Sequence, residues 1–443
     1  MSDRIIIRGG RIIDPAPGAD AVGDVAIEDG RIVSTAGAAT GPAREIDASG
    51  LVVAPGFVDL HAHLRDPGLE YKEDIESGTR AAARGGFTTL CAMPNTVPPM
   101  DSRSIVEHVL REGAARGVVR VLPIGAVSKG RRGEELAELG DLAAVGCVAF
   151  SDDGSPIADS TLLRRALEYA NDFGLPVIDH CEDPSLSRDT VMNEGWVATL
   201  LGLRGAPAAA EAAAVARDIA VAEATGAHLH IAHVSTRGAI EELRRAKERG
   251  VRVTAEVTPH HLTLSEETVA FGCLQSAELL YETAAKVNPP LRSRDDIAAC
   301  IEALADGTID CIATDHAPHA VTDKLCEFDE ADFGISGLET AFGLCMRLVL
   351  DGTITLPALI HRLTAGSVRA LGLDRHVRGL GTLATGAPAD VVLLDPESSW
   401  IVDPARFVSK GKNTPLAGVR LTGRVVATIA AGRIVHEETG VRS

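Results

Sequence analysis

LVVAPGFVDLHAH, residues 51–63, is an apolar run that ends in His-x-His. Side chains two apart on a strand point to the same side, so His61 and His63 leave the strand end together. Two imidazoles converging at the mouth of a sheet begin a divalent-metal site, with zinc the first candidate. Taken alone, the pair also fits two surface histidines. The next residues, Arg65-Asp66-Pro67-Gly68, turn the chain at once, as a loop at a strand end does.

Downstream of this run, short apolar stretches alternate with helical ones, the pattern of βα units around a parallel sheet. Eight strand candidates follow in order: 55–61, 87–93, 119–125, 145–151, 176–180, 228–234, 251–257 and 309–315. Helical candidates lie between them at 102–115, 159–173, 207–225 and 236–249. Eight units predict an α/β fold, a (β/α)8 TIM-like barrel over residues 54–381, with a doubly wound open sheet as the other fold of this pattern. The connection 258–308 is long and is expected to carry extra loop structure.

Upstream, residues 4–53 are short β-rich segments with Gly turns, including the hairpin signal "EDGR". Residues 382–436 return to that style, and "AAGRIV" near the end echoes "EDGRIV" near the beginning. Both chain ends, 1–53 and 382–443, are therefore expected to pair into one small β-sandwich, split by the barrel.

Composition narrows the function classes. Aromatics are only 3% of the chain, with two Trp and three Tyr, too few for a base-stacking surface. The net charge is −19 and no long Lys/Arg run occurs, which argues against nucleic acid and against anionic membrane. An acidic substrate therefore needs a local cationic pocket. The N-terminus lacks a signal-peptide run, and the eight Cys are scattered singly, so a reducing, cytoplasmic setting is expected.

Barrel chemistry sits at the C-terminal ends of the strands. Those ends read His61/His63, Asn95, Asp152/Asp153, His180, His233 and Asp315 with His316. Four His and two Asp suffice for two metal ions with a bridging group, and two such ions can share a hydroxide and polarise a carbonyl. A carboxylate beside that water, as from the eighth strand, takes its proton and hands it to a leaving nitrogen. No redox motif or nucleotide-binding Gly loop competes, so metal-assisted hydrolysis or its reverse is the expected reaction class.

Several longer motifs carry a family resemblance: HAHLRDPGLEYKEDIESGTRAAARGGFTTLCAMPNT (61–96), FSDDGSPI (150–157), DHCED (179–183), IAHVST (231–236), TAEVTPHHL (254–262), KVNPPLR (286–292), IATDHAPH (312–319) and GISGLETAF (334–342). Nearly the whole chain resembles the amidohydrolase superfamily and, within it, the bacterial class I dihydroorotases. HLRDPG together with MPNT is far more specific than His-x-His.

The resemblance implies a first metal on His61, His63 and Asp315, and a second on His180 and His233. It implies a bridging carboxylate from the Asp-Asp-Gly turn, Asp153 rather than Asp152, a choice strand alternation leaves open. Related hydantoinases and allantoinases usually carry a carbamylated Lys there; no Lys lies in 145–157, so two metals require an Asp bridge. Zn2+, one or two per subunit, is the implied cofactor, bridged by hydroxide and Asp153. Asp315 is the implied proton carrier.

Arg65, Asn95, Asn288 and His319 are the implied substrate contacts; a guanidinium fork suits a carboxylate. The implied activity is the ring closure of N-carbamoyl-L-aspartate to L-dihydroorotate in pyrimidine (UMP) biosynthesis. The alternatives are another cyclic amidohydrolase, or an inactive scaffold subunit for aspartate transcarbamoylase. A homodimer is the implied assembly, and aspartate transcarbamoylase is a partner left open. His230 is expected to turn towards the helix layer, His260 and His261 to orient ligands, and residues 318–334 to form a loop over the site.

Overall fold

The computed structural model describes residues 4–34 and 43–438. The decisive apolar run divides in two. Val52–Pro55 belongs to the sheet of the chain ends, and Phe57–Ala62 is the first strand of a parallel barrel. Gly56 joins them; a Cβ there would lie 2.3 Å from the Thr88 side chain, so only glycine fits the crossing.

The barrel strands follow in chain order: Phe57–Ala62, Phe87–Ala92, Arg120–Gly125, Ala149–Ser151, Val177–Asp179, Leu229–Ile231, Val253–Val257 and Cys311–Ile312. Every neighbouring pair is parallel. A parallel bridge between Ala62 and His316 closes the cylinder, and the His63 N–H donates to the His316 carbonyl at 2.9 Å. Asp59 secures the same seam by accepting from the Thr314 N–H at 2.8 Å. Val58, Leu60, Ile124, Ile178 and Cys311 fill the interior together with Val368 and Leu371 of the helix Ala365–Leu371, which stoppers the end away from the site.

The four expected helices form as Arg103–Arg116, Ser160–Asp172, Ala208–Thr225 and Arg237–Glu248. Asp159 and Thr236 cap two of them by accepting backbone N–H bonds in the first turn. The long connection after the seventh strand carries the helix Glu267–Phe271, a short 3-10 turn Thr283–Ala285 and the helix Arg294–Asp306.

Several strands are shorter at their site ends than the apolar runs suggest. The sixth stops at Ile231 and the eighth at Ile312. Beyond them His233 and Asp315 adopt left-handed backbone, with φ of 33° and 47°. Non-glycine residues rarely sit there, and the ladder cannot continue through it. His233, expected on the strand itself, therefore lies past its end.

The chain ends build one eight-stranded sheet, in the order Arg433–Glu437, Arg420–Ala430, Val391–Ile401, Val52–Pro55, Ile5–Asp14, Ala19–Glu28 and Arg31–Ser34, with Arg44–Asp47 also on Ile5–Asp14. It has its own apolar core, including Ile7, Val25, Ile27, Ile46, Val53, Leu393 and Ile429. The two echoing hairpin turns, Asp29-Gly30 and Ala431-Gly432, share positive φ values of 49° and 74°, and 47° and 77°. They also touch: a Cβ on Gly432 would lie 2.7 Å from the Gly30 Cα. The last three residues of the β-rich segment 24–37, and 1–3 and 439–443 of the expected terminal regions, lie outside the described residues.

Candidate metal centre

The barrel mouth gathers side chains from five strand ends. Asp153 stands in the middle. One carboxylate oxygen, Oδ2, is 3.2 Å from His61 Nε2 and 3.5 Å from His63 Nε2. The other, Oδ1, is 3.4 Å from His233 Nε2 and 3.8 Å from His180 Nδ1. Asp315 Oδ1 closes the first side, 3.0 Å from His63 Nε2 and 3.5 Å from His61 Nε2. On the second side His180 Nδ1 and His233 Nε2 are 3.0 Å apart. All six side chains are buried.

The neighbouring Asp152 is fully engaged elsewhere. It accepts from the backbone of Val127 and Ser128 at 2.9 and 3.0 Å and from the Ser128 hydroxyl. Those bonds tie the third strand's loop to the fourth strand's end and turn Asp153 inward.

This cluster fits divalent cations. Among the described residues His61 Nε2 and Asp153 Oδ1, both facing the shared space, have no hydrogen-bond partner although buried, and neither has His233 Nδ1. Buried polar atoms left this way are costly unless a ligand satisfies them. Two groups of three, His61/His63/Asp315 and His61/Asp153/His233, bring their ligand atoms within 4.8 Å of one another. Burial raises the Asp153 carboxyl, but His61, His180 and His233 outweigh it and hold it well below the usual carboxylate range. Burial likewise opposes charge on His61, and Asp153 and Asp315 override it, raising the imidazole well above its ordinary value. A bound cation would take the place of the protons so held.

Residues behind the cluster fix its rings. His61 Nδ1 donates to Glu256 Oε1 at 2.7 Å, which leaves Nε2 as the lone-pair nitrogen. Burial pushes the Glu256 carboxyl up, yet hydrogen bonds from His230 and His61 bring it down to about 2. His230 contradicts its expected outward turn: it points inward, with Nε2 3.2 Å from Glu256 Oε2 and Nδ1 2.9 Å from Thr254 Oγ1. The reason is strand alternation, since Thr254 and Glu256 line one face of the adjacent strand and His230 pairs across from Thr254. His261 bonds Thr258 Oγ1 and the Pro289 carbonyl, both at 2.9 Å, and so steadies the Asn288 segment rather than a ligand. Glu256 escaped the sequence reading, although a lone Glu within VTAEV was a visible signal.

The four expected substrate contacts surround the same mouth. Asn95 Oδ1 accepts from His63 Nδ1 at 2.8 Å. Asn288 Nδ2 lies 3.0 Å from His180 Nε2 and 2.9 Å from Glu182 Oε2. Arg65 is buried, with φ of 60°, and its NH2 is 3.3 Å from His319 Nε2. Carboxylates neighbouring Arg65 in the chain are engaged elsewhere: Asp66 is 3.4 Å from His108, and Glu70 accepts from Gly68 N–H at 2.7 Å. Its one conventional acceptor is the Pro318 carbonyl at 3.4 Å, and no ion pair to it occurs among the described residues. HLRDPG and MPNT meet here: the Val97 N–H donates to the Pro67 carbonyl at 2.9 Å, and a Cβ on Gly68 would lie 1.9 Å from the Val97 carbonyl oxygen. Residues 318–334 lie alongside, pinned by Lys324 Nζ donating to the Thr283 and Lys286 carbonyls at 3.0 and 3.2 Å.

Comparison with known proteins agrees with this geometry. Residues 50–239 match a family described as dihydro-orotase-like, and residues 207–436 match the amidohydrolase family. The chain is 55% identical to a dihydroorotase of Anaeromyxobacter dehalogenans (strain 2CP-C) over 99% of each chain. It is 52% identical to a dihydroorotase of Syntrophotalea carbinolica over 98% of this chain and 99% of the relative. Its fold matches an L-hydantoinase from Arthrobacter aurescens with a TM-score of 0.86 and 24% identity, covering 100% of this chain and 98% of that one. A likeness at that identity speaks for the fold alone. No helix among the described residues is long and apolar enough to cross a membrane. A metal-ready histidine–aspartate cluster at a barrel mouth and half-identical relatives along the full length lead to one conclusion: the chain belongs to the dihydroorotase family of the amidohydrolases.

Proposed function

We propose that this chain interconverts N-carbamoyl-L-aspartate and L-dihydroorotate, using zinc held by His61, His63, Asp153, His180, His233 and Asp315. The observation that carries the reading is Arg65: a buried guanidinium beside the metal cluster, with no carboxylate partner among the described residues. A buried charge of that kind is costly unless an anion completes it. Dihydroorotate brings a carboxylate next to a cyclic amide, so one molecule can fill both places.

Divalent zinc suits these nitrogen and carboxylate donors, and when bound it polarises the reacting carbonyl and makes water a nucleophile at neutral pH. The protein's own part is orientation and proton transfer. Arg65 receives the substrate carboxylate in a forked pair of hydrogen bonds, with Asn95 and His319 beside it. In hydrolysis, water adds to the ring carbonyl and Asp315 accepts a water proton. The ring C–N bond breaks, and Asp315 returns that proton to the departing nitrogen. In synthesis, the carbamoyl nitrogen attacks the side-chain carboxyl, and protonated Asp315 helps expel water.

The barrel, residues 54–381, is the proposed catalytic unit. All eight cysteines are free, which supports a cytoplasmic setting. A homodimer follows the family resemblance and is tested by sedimentation. The deciding assay offers the metal-analysed protein dihydroorotate, hydantoin and allantoin. Ring opening of dihydroorotate alone is expected; preference for either other substrate, or no turnover with metal bound, rejects the reading.

A further inference from the structure

A further cluster of would-be metal ligands, His319, Asp323 and Asp332, lies beside Arg65, outside the histidine cluster. Its centre is filled by the chain itself. Lys72 Nζ is 2.7 Å from Asp332 Oδ2, 3.3 Å from Asp323 Oδ2 and 3.2 Å from His319 Nδ1. We infer that Lys72 is a positioning residue for substrate recognition: its ammonium, clamped by Asp332 and Asp323, fixes His319 and thereby leaves Arg65 free for the substrate carboxylate.

The argument is one of donors and acceptors. His319 Nδ1 faces both the Lys72 ammonium at 3.2 Å, which only donates, and Asp332 Oδ2 at 3.1 Å, which only accepts. The Phe333 carbonyl at Nε2 decides between them and leaves Nδ1 as the lone-pair nitrogen, bridged to Asp332 by the ammonium. The ring proton then sits on Nε2, which donates to the Phe333 carbonyl at 2.8 Å. Arg65 NH2, 3.3 Å from that same Nε2, meets a donor and not an acceptor. Its N–H groups stay available on that side. Were His319 flipped to the other tautomer, Nε2 would accept from Arg65 and compete with the substrate.

Lys72 also links two pieces of chain. It closes the turn that starts at Arg65, through Leu69 N–H to Arg65 O and Lys72 N–H to Leu69 O, both at 2.9 Å. Its three partners all come from residues 318–334. One ammonium therefore joins the loop carrying Arg65 to the loop carrying His319. The charges facing His319 agree. Burial lowers its pKa most, Asp332 raises it, and Arg65, Lys72 and Lys324 lower it, to about 4 in all, with Asp323 Oδ2 also 3.7 Å from Nδ1.

The inference rests on the dihydroorotate reading, and its test separates the two. In the metal-loaded full chain, Lys72→Met is expected to raise KM for L-dihydroorotate at least tenfold with kcat within threefold. Lys72→Arg should recover part of that loss. By NMR, the His319 ring pKa should rise in Lys72→Met, because Asp332 remains while the ammonium is gone. Asp332→Asn, at a half-exposed position, should raise KM severalfold and lower the His319 pKa. Unchanged KM in Lys72→Met and Asp332→Asn, equal losses in kcat and KM, or an unmoved His319 titration would overturn the inference. If Lys72→Met does not fold, the Asp332→Asn measurements decide alone. Failure of the wild-type chain to turn over dihydroorotate would reject the functional reading instead, while the NMR arm still judges the clamp.

Discussion

The two histidine pairs of the barrel mouth are built differently. His61 and His63 are each held from behind, His61 by Glu256 and His63 by Asn95, at 2.7 and 2.8 Å. Both present Nε2 to the shared space. His180 and His233 instead face each other at 3.0 Å; His180 Nε2 is backed by Glu182 Oε2 at 3.1 Å, while His233 Nδ1 has no hydrogen-bond partner among the described residues. Ligands whose tautomer and ring angle are set in advance bind a cation without reorganising. The first pair is thus a finished half-site, while the second lacks a partner only behind His233. Asp153, with one oxygen to each pair, is the joint between them.

This contrast can be broken in order of expected effect. Asp315→Asn keeps the geometry of the finished half but removes the proton carrier; turnover should fall at least about a thousandfold. Circular dichroism should stay native, and near-normal rates would end the assignment. Next, Asp153→Ala should strip both metals, because Asp153 sets one carboxylate oxygen against each histidine pair. His233→Ala should cost only one, and equal metal counts in the two purified variants would erase the distinction. Glu256→Gln should weaken metal binding by roughly 10–100-fold, measured by competition with a chromophoric chelator.

The smallest effect is a pH dependence in metal-free protein. The folded Glu256 carboxyl, at about 2, lies below its ordinary 4.5. Its contribution, on the order of 3 kcal/mol, is therefore present above the ordinary value and lost as pH falls towards 2. The wild-type melting temperature should drop more steeply across that window than that of Glu256→Gln. Parallel curves would show that the carboxylate does not hold His61 as charged partner.

Much of this architecture was legible beforehand. Alternating apolar strands and helices announced the barrel, and His, Asn or Asp recurring just past strand ends marked one rim. The echo of EDGRIV in AAGRIV announced that the chain ends meet, and their two turns do touch. Strand limits were less legible, because His233 and Asp315 leave the ladder through left-handed backbone that no apolar pattern encodes. His230 was misjudged because its direction depends on which residue it faces across the strand pair.

Sequence alone thus determined what local periodicity controls: the order of elements, and which residue types reach the mouth. Tertiary structure decided what depends on partners distant in the chain. It turned Asp153 inward by occupying Asp152 with Val127 and Ser128. It set Glu256 behind His61, 195 residues away, left Arg65 without an ion pair among the described residues, and placed the Lys72 ammonium against His319. The physical reason is that a hydrogen bond or an unpaired buried charge belongs to two places at once, and only folding brings those places together.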